Sequence, residues 1–364
     1  MTAARPADPK PATAEPGAGK VPASRPSTSE LPAAELPTGE LPTGELPTGE
    51  LPTGELPTGE LPTGELPTGE LPTGELPTGE LPTGELPADE LPTGELRLTI
   101  GRRGGRGVAT SQYYQGALRV IRPHYLDSSG QVAYTIVNPG GGYLGGDVYD
   151  VDIQVQDQAR LLLTTQSATK IYRTPGDPAV QHTRIRLGPG ASLEYVPDQL
   201  IAYREATYRQ QTVVELATDS SLVMCDVVTP GWSPDGELFR YEEVRLRNEI
   251  RRDGRLLALD NLLIRPGDSA APLSGMLFLE DYSHLGSMLV VDPRVDAELV
   301  RELQDLLAPL DPGGQLGLSL LNGPGFALRA LSRSTGSLNK ILFTAIDVLR
   351  RRWYRQQPLN LRKY

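Results

Sequence analysis

A single cysteine, Cys225, stands among 364 residues. That excludes an internal disulfide framework and any zinc site built from thiolates alone. Histidine is nearly as scarce: His124, His182 and His284 lie far apart, without the short spacing of a preformed metal site. No apolar run approaches the roughly 20 residues of a membrane-spanning helix. The N-terminus lacks the apolar core of a secretory signal. The chain therefore reads as soluble and cytoplasmic, with no membrane partner.

The first quarter lacks the means to build a core. Residues 30–94 are thirteen consecutive pentapeptides, eleven of them Glu-Leu-Pro-Thr-Gly, with variants at Glu30–Ala34 and Glu85–Asp89. A proline in every unit excludes helix, and leucine is the only apolar side chain of any size. Such a tract cannot offset the entropy of ordering itself, so residues 1–96 read as a disordered, low-complexity linker. The Leu-Pro-Thr-Gly element lacks the extra residue and apolar anchor of a sortase signal. A weak sponge for divalent metal is the competing reading of the glutamates.

The formal charge of −11 belongs to this tail. Residues 30–96 carry −15 and residues 1–29 carry +2, which leaves +2 for 97–364. A near-neutral folded part gives no electrostatic footprint for nucleic acid.

From Leu96 the pattern changes to short β segments. Val132–Val137 and Val148–Val155 alternate with a period of two, as do Arg160–Gln166, Val180–Leu187, Ser192–Val196, Thr207–Leu216 and Ser221–Val228. Leu98–Ile100 and Ala117–Arg122 open the domain around a basic loop, Gly101–Gly107. Leu238–Ile250 and Arg255–Ile264 form a hairpin turned at Asp253-Gly254. Gly275–Leu279, Ser287–Val291, Leu316–Leu321 and Ala327–Ser332 continue the series. Apolar stripes at helical spacing predict helices over 294–308 and 335–354. Strands that arrive without alternating helices predict a mainly β domain over 97–364 and argue against a Rossmann fold.

The most constrained stretch is Pro139–Asp147, with five glycines between positions 140 and 146. It contains G-x-G-x-x-G at Gly140, Gly142 and Gly145, but a dinucleotide site needs a helix next. A strand follows instead. Two roles stay open for Asp147: capping the glycine turn through backbone hydrogen bonds, or binding a divalent ion weakly with Asp150 and Asp152, which share one strand face. Ser167-Ala168-Thr169-Lys170 fits S-x-x-K, the arrangement that places a lysine beside a nucleophilic serine. The S-x-N and K-T-G elements that accompany it elsewhere are missing in the required order.

Four segments together resemble one family. Gly141-Gly142-Tyr143-Leu144-Gly145-Gly146-Asp147 is similar to the G-G-x-x-G-G-D loop of the urease accessory protein D family (UreD, called UreH in some species). Thr164–Arg173, with Thr165, Gln166, Lys170, Tyr172 and Arg173, resembles its T-T-Q-x-A-T-K-x-Y-R segment. Leu193–Ile201, with Pro197, resembles L-E-Y-x-P-x-x-x-I, and Gly236-Glu237-Leu238-Phe239 resembles G-E-x-F. The likeness spans roughly 110–356. One departure is Gly231-Trp232, where the family usually has Gly-Arg.

The resemblance implies a helically wound β-sheet domain with two α-helices near the C-terminus. It implies a non-enzymatic scaffold that joins a UreF-type protein and a UreG-type GTPase on apo-urease and helps deliver nickel. No cofactor is held tightly, and nickel is in transit through an internal passage. On that reading Asp147 is the acid nearest the passage, with Asp150 or Asp152 second. The residues themselves leave two other functions open: a serine acyl-transfer hydrolase using Ser167 and Lys170, or a β-rich binding module without a metal role. Trp353, beside Arg350, Arg351 and Arg352, reads equally as core or as an interface anchor.

Overall fold

The computed structural model describes residues 91–361 apart from 270, 271, 276 and 277. The expectation of a disordered tail lies outside these residues, except at its end. The first strand, β1 (Gly94–Arg103), begins inside the last pentapeptide, and Leu96 is fully buried. The boundary expected at residue 96 therefore falls earlier. Leu96, Leu98 and Ile100 alternate inward, and that periodicity continues without a break into the repeat.

β1 pairs antiparallel with β2 (Arg106–Gly116), and the expected basic loop narrows to a turn at Gly104 and Gly105. β3 (Arg119–Val120) is what remains of Ala117–Arg122. The chain then winds through four similar coils. The first runs β4 (Val132–Val137), a crossing at Tyr143, and β5 (Val148–Val155). The second is β6 (Arg160–Thr165), β7 (Thr169–Ile171) and β8 (Ala179–Leu187). The third is β9 (Ser192–Tyr195), β10 (Leu200–Ala202) and β11 (Thr207–Leu216). The fourth is β12 (Ser221–Val228), a crossing at Trp232, and β13 (Glu243–Arg252).

Parallel pairing stacks the coils. One sheet has the order β14-β13-β11-β8-β5-β1-β2, where β14 (Arg255–Ile264) returns antiparallel through the Asp253-Gly254 turn. The facing sheet places β4, β6, β9 and β12 side by side. It is extended by β15 (His284–Val291), β16 (Gln315–Leu320) and β17 (Gly325–Ser332). Alternate residues of both sheets fill one apolar core. The helices α1 (Ala297–Leu307) and α2 (Thr335–Tyr354) cover the outer face of the second sheet over a separate apolar cluster. Asp296 caps α1 and Ser334 caps α2, each accepting from backbone N–H groups of the first turn.

Two expected segments differ. Of the strand expected over Gly275–Leu279, residues 276 and 277 lie outside the described residues, while Gly275 and Phe278 donate to carbonyls three residues back, as in turns, and Leu279 is buried. The strand expected from Leu238 starts at Glu243, because Phe239 has φ +57° and its N–H donates to Pro230, wrapping the chain across the end of the sandwich.

Helix α2 is fixed by charge as well as by apolar packing. Arg350 is 2% exposed and donates to Glu194 and to Gln131, with Asp127 at 3.3 Å. It is thus an internal residue, whereas Arg351 and Arg352 are exposed. Trp353 is half-buried beneath the Arg294 guanidinium, 4.7 Å from the ring centre. Burial raises the Glu194 carboxyl, and the charge and hydrogen bonds of Arg350 oppose that rise. Removing one partner leaves the other as an unpaired buried charge. Arg350→Met is therefore expected to destabilise the domain by about 3–5 kcal/mol in denaturant titrations. The double change Arg350→Met with Glu194→Leu is expected to recover most of that loss.

Candidate functional site

β5, β8, β11 and β13 run parallel and in register, so the segments entering them gather at one end of the sandwich. These are the glycine loop, Tyr172–Pro178, Tyr203–Ala206 and Thr229–Glu242. Three of the four family-like motifs, far apart in sequence, contribute to that surface, and the fourth, around Pro197, lines the cavity below it.

The glycine loop is a short strand crossing rather than a ligand cradle. The Tyr143 N–H donates to the Lys170 carbonyl at 2.8 Å, and the Tyr172 N–H donates back to the Tyr143 carbonyl at 2.9 Å. Gly142 is required by that approach: a Cβ there would lie 2.8 Å from the Lys170 oxygen and 2.6 Å from the Tyr172 ring. Gly141, Gly146, Gly231 and Gly236 take positive φ, while Gly145 lies against Thr174.

Asp147 uses both carboxylate oxygens within this turn. Its Oδ2 accepts from the Leu144 N–H at 2.7 Å and from the Tyr149 hydroxyl at 3.2 Å. Its Oδ1 accepts from the Thr93 hydroxyl at 3.1 Å, so the final pentapeptide also closes the loop. Asp150 and Asp152 do share a face, the outer one, where they meet His182 at 3.3 Å and Arg186 at 2.8 Å. The three acids do not converge. Among the described residues no cluster of three His, Cys, Asp or Glu side chains has metal-binding geometry.

The other motif residues are mainly structural in their contacts. Thr165 accepts from the Asp198 N–H at 2.9 Å, and the Gln166 N–H donates to the Ile136 carbonyl at 2.9 Å, leaving its side chain exposed. Arg173 is exposed and pairs with Glu205. Glu237 is exposed, and its N–H donates to Asp235. Ser167 lies in an exposed bend and Lys170 on a strand. No hydrogen bond between these two is present among the described residues, and the segment is a bend leading into a strand rather than a helix. The acyl-transfer arrangement, which needs one helical turn, is therefore not formed.

Sequence reasoning missed the interior. Between the sheets lies a cavity of about 40 Å³, lined by Tyr143, Gln181, Tyr195, Asp198, Gln210 and Asp226 among others. That is room for roughly three water molecules. Thr165, Thr169 and Pro197 from the family-like motifs line it as well. Tyr143 stacks on Tyr149 with ring centres 3.8 Å apart, and its hydroxyl donates to Gln181 at 2.7 Å.

From this cavity a polar belt crosses the apolar core. On one sheet the register aligns Thr183, Thr212, Asn248 and Asp260; on the other it aligns Asp226, Ser287 and Arg329. Asn248 donates to Asp226 at 3.0 Å, and Arg329 donates to Asp260. Thr212 Oγ1 and Asn248 Oδ1 have no hydrogen-bond partner among the described residues. The belt offers neutral and anionic oxygen acceptors to water, without the thiolate or imidazole set that would retain a metal.

Burial pushes the Asp226 carboxyl up to about 6, the Asn248 hydrogen bond opposing it and Asp260 adding to it. Asp226 lines the cavity. Because the carboxyl titrates at 3.8 when unperturbed, folding is penalised only where the buried group is charged. Stability should thus fall as pH rises from about 4 to about 6, by on the order of 3 kcal/mol. In Asp226→Asn that slope is expected to vanish and stability at neutral pH to rise, as read from denaturant midpoints across pH.

With this geometry established, sequence comparison is decisive. Residues 92–363 match the family model described as UreD urease accessory protein. The chain is 58% identical over 275 residues to a urease accessory protein UreD of Arthrobacter sp. (strain FB24), covering 74% of this chain and 93% of that protein. It is 56% identical over 277 residues to its namesake in Paenarthrobacter aurescens (strain TC1), covering 74% and 94%. A UreD of Corynebacterium glutamicum is 51% identical over 278 residues, covering 74% and 97%. The chain belongs to the UreD family of urease accessory proteins.

Proposed function

We propose that this chain is a non-catalytic scaffold of urease maturation in the cytoplasm. It binds a UreF-type protein, a UreG-type GTPase and apo-urease, and nickel passes along its interior belt as cargo. The observation that supports this reading is the belt itself. Asp226, Asn248, Asp260, Gln181 and Gln210 occupy inward positions where apolar packing would stabilise the sandwich better. A fold that keeps such groups retains them for a task.

Transit requires weak, multiple contacts, because an ion held by a closed ligand set does not leave. Carboxylate, amide and hydroxyl oxygens meet that requirement for a borderline divalent ion. Asp226, partly protonated near neutral pH, can accept the cation as it releases its proton. Asp147, Asp150 and Asp152 take lesser parts in this reading. Asp147 holds the loop above the cavity, and the other two lie on the outer face.

A strain without this chain is expected to accumulate normal amounts of urease subunits that contain little nickel. Urease purified from it would be assayed for metal by atomic emission and for activity before and after nickel loading. Fully metallated, active urease in that strain contradicts the proposal.

A further inference from the structure

The crossings between the two sheets form a third, narrow face. Tyr143 bridges to Ile171, β7 pairs with β10, and Tyr203 bridges to Trp232. Outward residues of successive coils therefore stand side by side. Tyr172 and Tyr203 have ring centres 5.0 Å apart, and Tyr203 and Trp232 are 4.9 Å apart. These separations match the spacing of neighbouring strands, so the three rings make a ladder fixed by the backbone. Gly142 continues the ladder as a flat step under the Tyr172 ring.

The ladder is open to solvent at its Trp232 end, while Tyr172 and Tyr203 are half-buried. Trp232 is 50% exposed, and Leu144 and Leu238, at the same end of the sandwich, are 56% and 52% exposed. Large apolar side chains gathered on one rigid surface mark an interaction site. Tyrosine, tryptophan and arginine are the residues that most often anchor interfaces.

Charge around the ladder is uneven. Within two residues of its rungs stand Lys170, Arg173 and Arg204, against the single carboxylate Glu205. Glu205 pairs with Arg173 at 2.5 Å and Arg204 at 3.6 Å, so one anion serves two cations. Beyond Trp232 the sign reverses, with Asp235 and Glu237, although Arg240 stands 4.0 Å from Asp235.

We propose that the Tyr172–Tyr203–Trp232 ladder is a docking strip for a protein segment that carries aliphatic side chains beside carboxylates. The aliphatic groups lie on the rings, and the carboxylates meet Lys170, Arg173 and Arg204. Two residues of the cavity lining, Thr169 and Leu200, each stand three residues before a rung of the ladder. This inference rests on the scaffold reading above, and it names the surface and chemistry of one of that scaffold's contacts.

The test uses the full chain with purified UreF-type protein and, separately, purified apo-urease. Binding is measured by calorimetry and by the emission of Trp232, in a Trp353→Phe background. At least one partner is expected to shift that emission to the blue. Trp232→Ala and Tyr203→Ala should weaken its binding by about tenfold or more while thermal midpoints stay close to the parent. The surface variant Arg173→Glu with Arg204→Glu should weaken it comparably and flatten its salt dependence. If the parent binds a partner and all these variants bind it equally well, the docking strip is overturned and the scaffold reading stands. If ring variants weaken binding but charge reversal does not, the acidic occupant is overturned. If the parent binds neither partner, both readings fall.

Discussion

The structure depends on one repeated constraint: every coil must return to the same height so that parallel strands pair without slipping. β5, β8, β11 and β13 hold one register across the whole sheet. A shift of one residue on any of them would turn its inward side chains to solvent and bring charged ones into the core. Because the register is held, equivalent residues of different coils line up. That alignment generates both the interior polar belt and the exterior aromatic ladder. Neither belongs to a single local motif.

The two features impose opposite physical demands. The belt places polar groups inside an apolar core, where each must be hydrogen-bonded or hydrated to be tolerated. Gln181 is buried between Tyr143, whose hydroxyl donates to it, and Thr183, which accepts from it. Thr212 and Asn248 retain unmatched oxygens, and that is where the belt favours water. The cost is carried by the apolar layers on either side. The glycine loop connects the two features. Tyr143 points into the cavity, Tyr172 heads the ladder, and Gly142 lets their backbones pair.

Local structure was legible in the sequence wherever local periodicity governs it. Val132–Val137, Val148–Val155, Thr207–Leu216 and Ser221–Val228 are strands with the boundaries that alternation gives, and Asp253-Gly254 is the expected turn. Thr335–Tyr354 is helical over the span its apolar stripe predicts. The start of the domain was hidden because Thr93 and Gly94 repeat the tail's composition while serving the fold. The belt was hidden because register between coils some thirty residues apart leaves no trace in a short window. One signal did exist: Asp226 occupies the inward phase of Leu222, Met224 and Val228, the place of an apolar side chain. Asp147, by contrast, stands out in the sequence because it follows the glycines, yet its carboxylate is engaged by the turn.

The proposed passage of nickel along the interior belt is tested by maturing purified apo-urease with the Asp226→Leu chain and counting nickel atoms per urease active site. The variant removes the belt carboxylate that lines the cavity, and its partner binding is measured in the same preparation. Partner binding like the parent's, with a severalfold lower nickel content, is expected. Nickel content equal to the parent's, with partner binding intact, would contradict it.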